Sequence, residues 1–312
     1  MSDNNSILLA GIDGSNPLAF LAAIGTLRVA SLALPKEVIR MSWEPYAGAW
    51  RPRLFGTPSL SAESIVDLLS TSLLEGSPTA RTEITLGKNL TMTPDVLRTA
   101  ALHCQTEAFD RNRRSADFIS SFGCEIFSRE VLGARRVSTT EFYFIFGSGH
   151  QHFLETAAKL LTQTQPSQLK EALFGPWTYR DEKLSFRWDP SDAREHAYQW
   201  TSPGDETTVT VWGANVLAFE AIPLFPVMPV NNTTITTSFL RNRRSAAFTW
   251  PIWSCPLTLD VTRSLLASTH DLEAEQVHDL MSRGVVAIFQ SVKRKIGEGA
   301  NFKWAFTPAK AI

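Results

Sequence analysis

Cysteine is scarce in this chain, and so is net charge of either sign. Only three cysteines occur in 312 residues, and Cys104, Cys124 and Cys255 stand far apart with no Cys-x-x-Cys pair. That spacing excludes a disulfide scaffold and a zinc ribbon, and it fits a reducing cytoplasm. Thirty Lys and Arg against thirty-one Asp and Glu leave a net charge of −1. No global basic field is available to hold a polyanion, so any such binding must come from local patches. Long hydrophobic runs are missing too: the apolar stretch from Pro17 to Leu34 is interrupted by Arg28, which makes it a buried helix and not a membrane span. The opening Met-Ser-Asp-Asn-Asn lacks the basic n-region of a signal peptide.

Catalytic signatures are equally sparse. There is no Gly-x-Ser-x-Gly elbow, no Walker sequence, no Gly-x-Gly-x-x-Gly and no cysteine in a Cys-His signature. His270-Asp271 and His278-Asp279 invite comparison with a metal-dependent HD phosphohydrolase, but the chain has six histidines and the others are poorly placed to complete a site. His150 and His152, two apart, would diverge by about 200° on a helix and not share a metal. The expectation is a protein that acts by binding, with no cofactor, no metal and no catalytic residues; a metal-dependent nuclease is the enzymatic alternative.

What the chain does have is arginine in a repeated setting. Arg111-Asn-Arg-Arg-Ser-Ala116 recurs letter for letter as Arg241-Asn-Arg-Arg-Ser-Ala246, and in both copies a phenylalanine, Phe118 or Phe248, follows two residues later. Arginine forks suit phosphate and carboxylate oxygens, and flanking aromatics can stack on bases. Two further basic clusters, Arg135-Arg136 and Lys293-Arg294-Lys295, stand at sites that resemble turns. The candidate nucleic-acid contacts are therefore Arg111, Arg113, Arg114, Arg135, Arg136, Arg241, Arg243, Arg244, Lys293, Arg294 and Lys295. The competing reading of each cluster is a solvated surface, or a face that pairs with acidic loops of a partner protein.

Element patterns point to an α+β fold, a mixed sheet with buried helices. Asn16 followed by Pro17 is a cap and first-turn pair, predicting a helix to about Ala33 that is apolar nearly all round and so central. Val38 to Trp43 and Trp50 to Phe55 read as strands around a Pro-Tyr-Ala-Gly turn, Ser61 to Leu74 and Thr93 to Phe109 as capped helices. Thr140 to Phe146 is the strongest strand by composition. It runs into Gly147-Ser-Gly149 and a helix from His150, an arrangement that would aim backbone amides at a phosphate. A short strand to Trp212 leads to a helix that Pro223 ends, with an extended edge to Pro229. Thr233 to Leu240 and Ala246 to Trp253 read as a hairpin with the second arginine cluster at its tip. Helices from Leu257 and Leu272 follow, then a strand over Val285 to Gln290, a basic turn at Lys293 to Gly299 and a strand over Phe302 to Phe306. At 312 residues one large domain or two intimate ones, residues 1–165 and 166–312, each with one copy of the hexapeptide, are both open.

Four blocks carry a family resemblance: Asp13-Gly-Ser-Asn-Pro-Leu-Ala-Phe-Leu-Ala-Ala-Ile-Gly-Thr-Leu-Arg28, Phe186-Arg-Trp-Asp-Pro190, Gly213-Ala-Asn-Val-Leu-Ala-Phe-Glu-Ala-Ile-Pro-Leu-Phe-Pro226, and Phe248-Thr-Trp-Pro-Ile-Trp253. Together they resemble accessory CRISPR-associated proteins of the type I-G (formerly I-U) interference modules. The resemblance implies a subunit or accessory factor of an RNA-guided DNA-targeting complex in antiviral defence, standing in for part of a large subunit. Its implied partners are crRNA, target DNA and other CRISPR-associated subunits, with no membrane. In such complexes base pairing reads sequence while protein groups hold backbones. No catalytic residues transfer with it, and the repeated hexapeptide is not part of it.

Overall fold

Strand β1 (Ser6–Leu8) leads through a tight turn into helix α1 (Pro17–Ala33). Asn16 caps the helix, its Oδ1 accepting from Ala19 N at 3.2 Å, and Pro17 occupies a position whose N–H would have had no helical partner. The hairpin β2 (Arg40–Tyr46) and β3 (Ala49–Phe55) turns on Ala47 and Gly48, both at positive φ, the conformation that matches strand twist. Helix α2 (Ala62–Leu73) starts on a reciprocal cap between Ser61 and Ser64. Short α3 (Thr82–Thr85) and α4 (Pro94–Phe109) precede α5 (Arg113–Phe122), which runs directly into the ribbon β4 (Gly123–Val131) and β5 (Ala134–Thr139). Helices α6 (Phe153–Gln163) and α7 (Pro166–Phe174) are followed by β6 (Asp181–Glu182), β7 (Val209–Thr210) and α8 (Trp212–Ala221). The remainder comprises β8 (Val227–Val230), β9 (Thr233–Thr236), β10 (Phe239–Arg241), β11 (Ala246–Trp253), β12 (Leu257–Thr258), α9 (Leu259–Ala267), α10 (Ala274–Ser282), β13 (Val285–Ile296), β14 (Lys303–Phe306) and β15 (Lys310–Ala311).

This architecture comes from a computed structural model, which describes residues 5–56, 60–74, 81–109, 113–131, 133–144, 152–193, 209–241, 245–269, 272, 274–296 and 302–312. The fold is α+β. Of the two larger sheets, one has the order β1-β3-β2-β12 and the other β10-β11-β13-β14 with β15 also on β13; β4-β5, β6-β7 and β8-β9 form two-stranded sheets. Every ladder among the described residues is antiparallel, which corrects the expected mixed sheet: strands joined by hairpins need no helical crossover. All eight residues of β11 are buried, Pro251 included. Its missing N–H costs the ladder little, because β10 reaches only to Phe248 and that side of Pro251 has no strand.

Elements from before and after residue 165 share one core. Helices α1 and α8 pack side by side, and β12 joins the sheet of β2. The approach of α1 to α8 depends on Gly25, where a Cβ would stand 1.8 Å from Leu217 O. Between the sheets and α1 lies an aromatic cluster in which Phe20 stacks on Trp43 at 5.7 Å and packs against Trp250 and Trp253. Burying indole costs its N–H a partner unless one is found. Trp250 Nε1 donates to Gly14 O at 2.8 Å, and Trp253 Nε1 to Met41 O at 2.7 Å. The four blocks that carry the family resemblance meet here. Trp250 reaches Gly14, Asn16 Nδ2 donates to Asp189 Oδ1 at 3.2 Å, and Asn215 Oδ1 accepts from Phe186 N at 3.0 Å.

Three expectations are corrected. Thr140 to Phe144 is a turn and irregular chain, not a strand; the Tyr143 N–H donates to Thr140 O, and the Phe142, Tyr143 and Phe144 rings are buried as core plugs. Ile145, Phe146 and the following Gly147-Ser-Gly149 lie outside the described residues. Phe186-Arg-Trp-Asp-Pro190, whose pattern reads as a strand end and turn, contains no strand: Arg187 has φ 60° and Trp188 is fully buried. The basic triplet Lys293-Arg294-Lys295 belongs to β13, paired with Phe306, Ala305 and Trp304, so it is strand and not turn. In the two aromatic segments composition announces burial correctly, and it leaves the backbone conformation open.

The Gly25 contact gives a prediction. Gly25→Ala forces a methyl group against backbone that cannot rotate away, and is expected to destabilise the protein by about 3 kcal/mol, read as a lowered urea midpoint at unchanged slope. Stability equal to the parent would show that α1 and α8 separate freely.

Candidate nucleic-acid interface

The two copies of the hexapeptide fold differently. In the first, Arg113 to Ala116 form the start of α5; in the second, Arg241 ends β10 and pairs with Ala246 at the start of β11. Six identical residues are too few to specify conformation against tertiary context. Arg-Asn-Arg-Arg reads as a loop in the first copy as in the second, but the chain from Arg113 onward is helix. Arg111, Arg243 and Arg244 lie outside the described residues, as does the side chain of Arg241.

Within the first copy, position on the helix separates two arginines. Arg113 is exposed, its side chain 71% accessible, and pairs with Asp117 one turn on at 3.0 Å. Arg114 turns inward and pairs with Glu220 of α8, a carboxylate with no solvent access. Arg28 Nη1 donates to Glu220 Oε2 at 2.9 Å, and Arg81 Nη2 to Glu220 Oε1 at 3.0 Å. Glu83, also buried, accepts from Arg81 Nε at 2.8 Å and from Ser115 Oγ at 2.6 Å, and Asp117 Oδ2 lies 3.6 Å from Arg28 Nη2. The three guanidiniums surround the Phe118 ring at 5.3, 5.8 and 6.0 Å, so the phenylalanine that follows the first motif is a cation-π platform within the core.

Charges in this cluster balance, three arginines against Glu83, Asp117 and Glu220. Burial pushes the Glu220 carboxyl upward, but Arg114, Arg81 and Arg28 outweigh it and the net shift is down. Burial lowers Arg28, and lowers Arg114 to about 10. For Arg81 the two buried carboxylates overcome desolvation, and its value rises. Arg114 is therefore corrected from nucleic-acid contact to internal ion pair: its guanidinium balances the third carboxylate of the cluster, and removing it would leave three carboxylates against two arginines. Lys293 is corrected on similar grounds. Its Nζ donates to Glu141 O and Oε2 at 2.8 and 3.1 Å and lies over the Phe144 ring at 4.9 Å. Arg294 and Lys295 are exposed on β13, Lys295 Nζ standing 4.4 Å from the Phe302 ring centre.

The ribbon β4–β5 brings together what the sequence left separate. Arg136 faces Arg129 directly across the ladder, and Arg135 faces Glu130. Arg129, absent from the expected contacts, joins them through register: it lies seven residues from Arg136 in sequence and opposite it in space. Arg136 Nη1 donates to Thr91 O at 3.0 Å. That contact places it on the rim of a hollow of about 290 Å³ shared with Lys88 and Thr93. Arg135 is exposed and its Nε donates to Ser128 Oγ. Ile126, on the same ribbon, is 61% exposed.

Of the expected anion site at the next helix, only the helix start from His152 lies within the described residues. Helix α6 begins at Phe153, and its first amides are already satisfied: Phe153 N donates to Asn89 Oδ1 at 2.8 Å, and Leu154 N to Lys88 O at 3.0 Å. His152 Nδ1 lies 2.8 Å from Asn89 Nδ2. Among the described residues no group of three His, Cys, Asp or Glu could hold a metal, and no helix is long and apolar enough to cross a membrane. His270 and Asp271 lie outside the described residues.

Compared with protein-family models, curated proteins and solved structures, the chain matches none.

Sequence reading missed the ion cluster and Arg129, though a signal for the cluster existed. Arg28 is the only charged residue in α1, and Glu220 the only one in α8; a lone charge in each of two apolar helices calls for a partner. Glu220→Gln, which leaves three guanidiniums against the two carboxylates of Glu83 and Asp117, is expected to destabilise the fold by about 3–5 kcal/mol, measured by urea unfolding at neutral pH. Because the folded-state value of Glu220 is depressed, its stabilisation is complete above the unfolded-state value of about 4.3 and is lost as pH falls through the lower folded-state value. The parent's stability should therefore decline below about pH 4.3, and the variant's decline should be shallower. Parallel pH profiles would show that Glu220 is not an ion-paired carboxylate.

Proposed function

We propose that the protein is a non-catalytic nucleic-acid-binding subunit or accessory factor of an RNA-guided interference complex of the type I-G CRISPR kind that its sequence blocks resemble, and that the β4–β5 ribbon holds the RNA or DNA backbone. The observation that carries this reading is the Arg129–Arg136 pair. Like charges directly opposite on an antiparallel ladder repel, and the ribbon is less stable for it in the absence of an anion. A phosphate between the two guanidiniums converts that repulsion into two charge-assisted contacts.

Shape and surroundings support the same reading. A two-stranded ribbon fits a nucleic-acid groove, and Arg136 and Lys88 line one hollow beside it. Exposed Ile126 adds an apolar group to the ribbon, and Arg113 is an exposed cation on the helix that runs into it. Contacts of this type supply affinity and orientation without reading sequence, which suits a complex whose sequence recognition is delegated to base pairing.

The test is fluorescence-anisotropy titration with single-stranded RNA, single-stranded DNA and duplex DNA at two salt concentrations. Arg129→Ser/Arg136→Ser is expected to weaken binding by about tenfold or more and to reduce the salt slope by about 2, one for each lost phosphate contact. It should also leave the ribbon equally or more stable, because the repulsion is removed. Parent-level binding by this variant would exclude the ribbon. Absence of binding by the folded parent alone, with assembly onto partner subunits, would favour a protein-interaction subunit.

A further inference from the structure

A second feature stands apart from the ribbon: a cleft of about 450 Å³ at the start of α1, whose lining includes Asp13, Asn16, Arg51, Trp177 and Tyr179. Its walls come from distant parts of the chain and are tied together. Asp189, 2% exposed, accepts from Asn16 Nδ2 on one wall at 3.2 Å and from the Tyr179 hydroxyl on the other at 3.0 Å. Ser191 N holds the same carboxylate at 2.9 Å. Trp177 Nε1 donates to Ala172 O at 3.0 Å, and the Trp177 and Tyr179 rings meet edge to face at 6.0 Å. Tyr179 adopts φ 51°, a left-handed conformation that costs a non-glycine residue about 1–3 kcal/mol and tends to persist where a site needs it.

Two polar groups at this cleft have no protein partner among the described residues. Arg51 Nε is buried and makes no hydrogen bond. Asp13 Oδ1 is occupied by Ser15 N and Oγ at 2.9 and 2.8 Å, while its Oδ2 accepts from no described protein donor. The start of α1 is not itself an anion site, since Ala19 N is taken by Asn16 Oδ1, Phe20 N by Asn16 O, and Pro17 has no N–H. The positive charge available to a ligand here is the Arg51 guanidinium.

A guanidinium with an unpaired Nε, an indole, a phenol ring and a free carboxylate oxygen in one cleft define the ligand's chemistry. The guanidinium takes a phosphate oxygen pair, the aromatic faces take a flat heterocycle, and the carboxylate accepts from an exocyclic amine or a sugar hydroxyl. The volume lies within the range of small-molecule sites. We propose that this cleft binds a nucleotide unit, with its base against Trp177 and its phosphate on Arg51. The unit is either a free nucleoside monophosphate or one residue of a single strand, and the proposal does not rest on the ribbon.

The test titrates the protein with AMP, UMP and a 5′-phosphorylated single-stranded RNA, following calorimetry and tryptophan fluorescence. Saturable binding is expected, weakened by about tenfold or more in Arg51→Met and in Trp177→Leu, with melting temperatures checked for each variant. Arg129→Ser/Arg136→Ser should bind mononucleotide as the parent does. Binding of AMP or UMP identifies a free-nucleotide site; Arg51-dependent binding of the strand alone identifies a strand-residue site. Should the cleft variants unfold, an azido-adenosine monophosphate photoprobe on the parent decides, because labelling must map to the peptide bearing Trp177 and Tyr179. Absence of Arg51-dependent binding of any probe, or labelling elsewhere, overturns the proposal. Strand binding that depends on Arg129 and Arg136 would then still stand for the ribbon.

Discussion

A carboxylate without access to water must be matched by positive charge, and Glu220 sets that requirement at the centre of this protein. Three guanidiniums arrive from α1, from the residue ahead of α3 and from α5, while α8 supplies the carboxylate. The ion cluster ties together segments separated by as many as 192 positions. Hydrophobic packing alone tolerates sliding between helices, but hydrogen-bonded charges do not, because a misplaced helix leaves an unpaired charge in a dry interior. Close contact of α1 with α8 at Gly25 and the cluster at Arg28 thus act on the same helix pair, one through shape and one through charge.

That constraint sorts the arginines of the chain into two kinds. Arg114 is consumed in holding the fold, whereas Arg113, its neighbour in sequence, points outward. Because α5 is anchored through Arg114 and Phe118, the ribbon that continues directly from it has a fixed base. The Arg129–Arg136 pair is accordingly presented on a supported element, which lets a like-charge pair persist without unravelling its strands. At the cleft beside α1, Asp189 holds both walls, and the buried Arg51 Nε makes no hydrogen bond.

Much of the local structure was legible in the sequence. Asn16-Pro17 marked the start of α1, Ser61 the start of α2 and Pro94 that of α4, because caps and first-turn prolines act through neighbours a few residues away. The β10–β11 pairing around the second arginine cluster was legible for the same reason. Thr140 to Phe144 was not: a run of aromatic residues announces burial, but three rings can fill a core from a turn as well as from a strand. Lys293 looked like part of a basic turn, yet Glu141, 152 positions away, turns it inward.

By itself, the sequence determined fold class, the central place of α1, and the presence of local arginine clusters in a nearly neutral chain. Each of these depends on composition or on residues close together along the backbone. Tertiary structure alone decided which cations face solvent, that Arg129 stands opposite Arg136, that Arg28, Arg81 and Arg114 share Glu220, and that Arg51 and Trp177 line one cleft. The physical reason is that charge pairing and cross-strand register are properties of distance in space. Identical hexapeptides can therefore begin a helix in one place and flank a strand pair in another.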